Sequence, residues 1–437
     1  MARWLIPMAY ILASVACGLI LPRLENTYLA AYTHDIGVSS ALAFFSSVTS
    51  GMMALTGIVF AIAFVMVQFS AVAYSPRLVT RFANDPRLFH ALGIFFATFS
   101  YSLAALAWTD RGGSGKVPLF SAILVIVLLI ASMVVFARLI QGISDLQIQN
   151  VLQAVGRQGR AVIRALFQRL ADADPAAADS GFPPRDLGPP TQRIAYSGEP
   201  RVITRLDIDT LVGLAEAAGA MAVLECAVGD TLVEDALVLS IYGAAAPLPE
   251  RTLMRAIGLG ATRTFEQDPK YAIRLLVDIA IRALSPAIND PTTAVQALDQ
   301  IEDLLRRLGR RHLDAGRAYD AAGVLRLIFP MPTWEDYLEL SFDEIRQFGA
   351  TSIQVMRRLR AALSGLKESV ATEERRTAVQ RYLDHLNRGV GRSVFDDQDQ
   401  ATALQEDRQG LGLSRKRRAP TSPSDTSAPP RTMPTPA

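Results

Sequence analysis

The charged residues best spaced to act together lie in one short stretch, Ile273-Arg-Leu-Leu-Val-Asp-Ile-Ala-Ile-Arg282. Arg274, Asp278 and Arg282 recur every four residues, so a helix sets them on one face as a ladder of alternating charge. Ser285-Pro286 ends that helix. Asp290-Pro291 opens another, because proline suits a first helical turn and a carboxylate suits its cap. Two chemistries are open to this corner. Arg274, Arg282, Asn289 and the free amides of the new helix start can hold an anion or small ligand. Alternatively Arg274, Asp278 and Arg282, with Asn289 and Asp290, form a structural network that fixes the corner, since half-buried charges need such partners.

Other reactive residue types are sparse. His34, His90, His312 and His385 stand far apart, and Cys17 and Cys226 are too few for a disulfide framework or a four-ligand zinc site. No nucleophile elbow, phosphate-binding glycine loop or histidine-carboxylate motif occurs. The expectation is a chain with no enzymatic activity, no cofactor and no metal. Net charge is only +2, so the composition points to no specific nucleic-acid partner.

A second set of residues matters because of where it lies. Thr49, Gly51, Thr56, Gly57 and Gln68 fall in a charge-free run from Ala41 to Tyr74. Small residues recur there at Ser47, Ser50, Gly51, Ala54, Gly57 and Ala61, a strip that lets another helix backbone approach closely. One reading is helix packing. The other is a pore lined by several copies of this helix, with Thr49, Thr56 and Gln68 presenting polar groups to water or ions.

That run is one of four apolar stretches able to cross a membrane, which takes about 20 residues. They cover residues 4–21, 41–74, 89–108 and 118–140. The second is long enough to reach about 50 Å as a straight helix, so it must tilt or kink, with Gly51 and Gly57 as the available kinks. No span holds an acidic or basic residue in its middle, which argues against a coupled transporter. Arg77, Arg81 and Arg87 follow the second span and Arg138, Arg157, Arg160 and Arg164 attend the fourth, so these ends belong in the cytoplasm with both termini. The outer loops carry Arg23, Arg111 and Lys116, offset by Glu25, Asp35 and Asp110.

The expected fold is therefore an integral membrane α-helical part with four transmembrane helices, followed by a cytoplasmic α+β region. Residues 1–140 form the membrane domain. Residues 141–170 continue it as an amphipathic stalk whose arginines can rest on anionic headgroups, and 171–192 form a linker. A small β-sandwich-like module occupies 193–246. Its strands are expected at 201–206, 222–228 and 237–242, with a helix capped by Asp209. A helical domain fills 247–395, with helices at 291–308, 334–348, 351–366 and 373–387. From 396 to 437 the chain turns polar and is expected to be a disordered tail, with a basic cluster at Arg415-Lys-Arg-Arg418.

Longer strings carry a family resemblance. Thr56-Gly-Ile-Val-Phe-Ala-Ile62, Gln68-Phe-Ser70, Tyr74-Ser-Pro-Arg-Leu78, Arg263-Thr-Phe-Glu-Gln-Asp-Pro269 and Ala283-Leu-Ser-Pro-Ala-Ile-Asn-Asp-Pro291 resemble the bacterial predicted-membrane-protein family called domain of unknown function 2254. The likeness covers roughly residues 1–390. It implies the bacterial inner membrane and brings no catalytic residues with it. The functional expectation is a homo-oligomer in contact with membrane lipid, channel-like along its second span, with a cytoplasmic sensory part. A non-conducting scaffold or signalling protein is the alternative.

Overall fold

The computed structural model describes residues 4–28, 37–73, 86–109, 117, 119–144, 147–168, 187–313, 316–392 and 395–411. Residues 171–186 of the linker expected at 171–192, the loop arginines Arg77, Arg81 and Arg111, Lys116, and the residues beyond Leu411 lie outside these residues. The chain divides into two compact units, residues 1–161 with 271–283, and residues 162–270 with 284–437.

In the first unit, α1 (Leu5–Tyr28), α2 (Val38–Ala73), α3 (Pro86–Trp108) and α4 (Leu119–Ser144) are long and apolar enough to cross a membrane. α2 is continuous through Gly51 and Gly57, with no break at either. α3 is the central helix and the most buried of the four. α1 runs parallel to it: the Trp4 and Phe89 rings lie 5.8 Å apart near one end, and Arg23 sits 5.1 Å over the Trp108 ring near the other. α2 and α4 run the opposite way. Hydroxyls join the helices across the core, with Ser14 Oγ donating to Ala97 O at 2.6 Å, Ser102 Oγ donating to Phe45 O at 3.0 Å, and Thr98 and Ser132 paired at 2.9 Å. In an apolar surrounding such groups must find partners, so each bond also fixes helix register. Phe45, Met52, Phe95, Tyr101 and Val125 fill the space between them.

The stalk does not continue the fourth span. α4 ends at Ser144 and a separate helix, α5 (Ile148–Leu166), begins after it. α5 buries Val151, Leu152, Val155, Val162 and Ile163 and exposes Gln149, Gln153, Arg157 and Arg164.

The second unit is a mixed helix and sheet region, but the boundary expected at residue 246 does not exist. β1 (Gln192–Ala195), β3 (Met221–Leu224) and β5 (Leu237–Tyr242) join β7 (Arg317–Tyr319) and β8 (Leu325–Ile328) in a five-stranded sheet of order β1-β5-β3-β8-β7. β3 and β8 pair in parallel, and the other neighbours are antiparallel. A second sheet has the order β4-β2-β6, from β2 (Arg201–Leu206), β4 (Thr231–Leu232) and β6 (Ile257–Gly260). Both sheets share one core with α6 (Ile208–Ala217) and α7 (Glu250–Arg255), centred on Ile203, Leu211, Leu224, Leu239, Leu253 and Leu327. Asp207 caps α6, not Asp209, because its carboxylate reaches the Thr210 N–H at 3.2 Å. The hairpin of β7 and β8 shows no long alternation in sequence, so it hid inside the supposed helical domain.

The remaining helices are α8 (Pro269–Ala283), α9 (Pro291–Leu308), α10 (Trp334–Phe348), α11 (Ile353–Ser369), α12 (Glu373–Gly391) and α13 (Asp397–Ala403). Thr333, Ser352, Thr372 and Asp396 supply their caps where expected for such residues. Residues 397–403 of the expected tail are thus helical. α13 and the residues after it lie along α11, where Arg357 Nε donates to Thr402 O at 2.8 Å and Ser364 Oγ to Glu406 at 2.7 Å.

Candidate functional site

The five membrane residues singled out in sequence separate into two groups. Thr49 Oγ1 lies 2.7 Å from Phe45 O and 3.1 Å from Ser102 Oγ, so its hydroxyl is spent between α2 and α3. Thr56 is buried and donates to Met52 O at 2.7 Å. Neither faces outward. Gly51, Gly57 and Gln68 are exposed, and a Cβ added at either glycine would meet no atom within 4 Å. The cause is the helical period: Phe45, Val48, Met52, Thr56 and Val59 pack inward, which turns the small-residue strip away from the bundle.

The tight helix contact of the first unit sits elsewhere. A Cβ on Gly18 would stand 2.5 Å from Ala104 Cβ, and one on Gly93 would stand 2.6 Å from the Tyr10 ring. These two glycines let α1 and α3 touch. Glu25 is a further residue that sequence reading passed over as a loop charge. It is buried, and its carboxylate accepts the N–H of Phe120 at 2.9 Å and of Ser121 at 3.4 Å, capping α4 from another helix. The available signal was Val117-Pro118, a helix start with no local capping side chain.

In α8, Arg274 donates through Nε at 2.7 Å to Asp278 Oδ1, with Nη2 at 2.6 Å from the same oxygen. Arg282 is half-buried on the following turn. The helix is buried almost all round, through Ala272, Ile273, Leu275, Leu276, Val277, Ile279 and Ala280. Asn289 is exposed and adopts a left-handed backbone, φ 49, which asparagine tolerates in a turn closed by Ser285 O. Asp290 caps its own helix: its carboxylate accepts the Thr293 N–H at 3.1 Å and the Thr293 hydroxyl at 2.6 Å. An amide that an incoming anion would need is therefore already engaged.

The strings before α8 act as pins. Gln267 bonds both the N–H and the carbonyl of Leu206, at 2.8 and 3.1 Å. Arg263 Nε donates to buried Asp268 at 2.7 Å, and Gly229 at φ 96 lies against that pair, where a Cβ would come within 2.7 Å of Asp268 Oδ2. Tyr337 is fully buried nearby, and burial pushes its phenol well above its ordinary range, reinforced by Asp268.

The helical part holds an ion network that sequence spacing does not announce. Arg358 on α11 is buried and reaches across to α9, with Nε 2.8 Å from Asp299 and Nη2 2.6 Å from Glu302. Glu302 also accepts from Arg306 at 2.8 Å. The basic run at the end of α9 is likewise committed internally: Arg307 pairs with Asp303, Arg310 donates to Ser369 O, and Arg311 donates to Phe167 O. Arg375 caps the end of α9 through Gly309 O and Arg311 O, and desolvation lowers its affinity for a proton. Among the described residues no three His, Cys, Asp or Glu side chains gather as metal ligands would.

Comparison with known proteins agrees with the membrane-spanning architecture. Uncharacterised proteins of Mycobacterium tuberculosis and Mycobacterium bovis are each 29% identical over 369 residues, which is 82% of this chain and 69% of theirs. No solved structure matches the chain. Residues 2–365 match the family described as predicted membrane protein, domain of unknown function 2254, and the chain belongs to that family.

Proposed function

We propose that this chain works in the bacterial inner membrane as a homo-oligomer whose copies meet along α2 and enclose a narrow conduit. In this reading the second unit and both termini are cytoplasmic and the second unit is the sensory part. No reaction is assigned to it. The observation that carries the proposal is the outward seam of α2. Ala43, Ser47, Ser50, Ala54, Gly57 and Ala61 recur at steps of four and three residues, and all six are exposed. A surface that meets only lipid has no need of small side chains, whereas helix backbones approach closely only where side chains are small. The protein uses that same device internally at Gly18 and Gly93. A repeat of four and three suits helices that cross at about 20°.

The lining follows from the same face. Ser47 and Ser50 carry hydroxyls on the seam and Gln68 is exposed further along, while Thr49 and Thr56 bond inside the bundle. A non-conducting scaffold or signalling oligomer uses the same seam without water in it; the seam hydroxyls favour the conduit. The test is purified protein in planar bilayers, beside its oligomeric mass in detergent. Gly57→Leu is expected to abolish both assembly and current. Ser47→Ala with Ser50→Ala should lower conductance and leave the oligomer intact, and Thr56→Val should change neither. An intact oligomer that never conducts under voltage or tension leaves the scaffold reading, and a monomeric chain overturns both.

A further inference from the structure

We infer that Phe64 closes the conduit, as a ring of phenyl groups contributed one by each copy; this rests on the reading of α2 proposed above. The seam of α2 repeats every seven residues, and the steps of four and three that reach Gly57 and Ala61 continue unbroken to Phe64 and Gln68. Both side chains are exposed, Phe64 at 63%. The inward row of α2 runs along the opposite side through Met52, Thr56 and Val59, so Phe64 adds nothing to the core of the bundle.

A change of size along the seam gives this position its role. From Ala43 to Ala61 the seam holds only alanine, serine and glycine, so copies set around an axis leave it open there, and Ser47 and Ser50 wet it. Phe64 is the first seam residue whose side chain is long enough to reach that axis. A narrow apolar ring expels water, and an ion cannot shed its hydration to cross a dry stretch, so dewetting alone shuts the path. One turn further on, Gln68 presents a carboxamide that water can solvate. The dry ring therefore lies between two wet levels. Exposed bulk elsewhere on α2 lies off this line: Met53 and Phe60 stand one residue before Ala54 and Ala61, about 100° round the helix. Those two meet lipid, and the ring centres of Phe60 and Phe96 are also 6.4 Å apart, against α3.

Current through planar bilayers and oligomeric mass in detergent, both on the purified full-length protein, test the closure. Phe64→Ala is expected to keep the wild-type mass and to raise the current without applied tension by about ten-fold or more. Phe64→Leu, which keeps an apolar ring, should stay close to the wild type, and Met53→Ala should change neither readout. Sidedness adds a measurement that a merely loosened bundle would not reproduce. In a chain freed of native thiols by Cys17→Ser and Cys226→Ser, a charged, membrane-impermeant thiol reagent is applied to inverted vesicles, whose outer face is the cytoplasmic one. Gln68→Cys should react at once, whereas Ser50→Cys should react slowly until Phe64→Ala is added. An oligomer in which Phe64→Ala conducts no better than the wild type overturns the closure and spares the seam, as does a Ser50→Cys that reacts as fast with Phe64 in place. A monomeric wild type overturns the conduit itself, and the closure with it.

Discussion

Glycine has opposite meanings at four places in the membrane unit. Gly51 and Gly57 stand in open space, whereas Gly18 and Gly93 lie where one extra carbon collides with Ala104 or Tyr10. Substitution therefore separates them. Gly18→Ala should destabilise the chain by about 1–3 kcal/mol, since the backbones of α1 and α3 must part to admit the methyl group. Gly51→Ala should leave melting in detergent unchanged or raise it slightly, because alanine favours the helix and meets nothing. Thermal unfolding of the two variants side by side checks this, and equal losses would mean that the contact at Gly18 yields easily. The same scale explains Thr49 and Thr56. A threonine in a span can share the helix carbonyl four residues back and so satisfy its hydroxyl on its own helix, and residue type alone does not signal a water-facing position.

Among the elements, the hairpin of β7 and β8 is the one that completes the five-stranded sheet, and one carboxylate holds its turn. Asp320 is buried and accepts from Arg326 Nε at 2.8 Å and from the N–H groups of Val324 at 2.8 Å and Ala322 at 3.0 Å. Gly323 at φ 79 closes the turn. Arg326 in turn donates to Ala220 O beside β3, tying the hairpin to the sheet it enters. The Arg326 hydrogen bond, followed by that from the Val324 amide, holds the Asp320 carboxyl below its ordinary value. The folded state then binds this proton less readily than the unfolded chain. Its contribution is present above the unfolded value of about 3.9 and is lost as pH falls through the lower folded value. Asp320→Asn should lower the melting temperature of the full chain at pH 7, and the gap from wild type should close in strong acid. A gap that stays constant with pH would show that this carboxylate is not the group responsible.

At the scale of the whole molecule, the four spans of the first unit alternate in direction, with α1 and α3 parallel and α2 and α4 reversed. A reporter fused in the loop at Lys116 and one fused after Leu411 should therefore report opposite sides of the membrane. A cytoplasmic signal at Lys116 would break the proposed orientation. What the sequence alone determined is the set of membrane helices, the amphipathic α5, and α9 to α12 within a few residues. Each is written locally, as an apolar run of spanning length, a helical period, or a capping residue ahead of one. Only the tertiary structure decided that α2 turns its small residues outward, that Glu25 caps a helix more than ninety residues away, that Arg358 pairs across two helices, and that β8 lies beside β3. Those are contacts between residues far apart in the chain. Local pattern says which face of an element is apolar, but not which distant element will cover it.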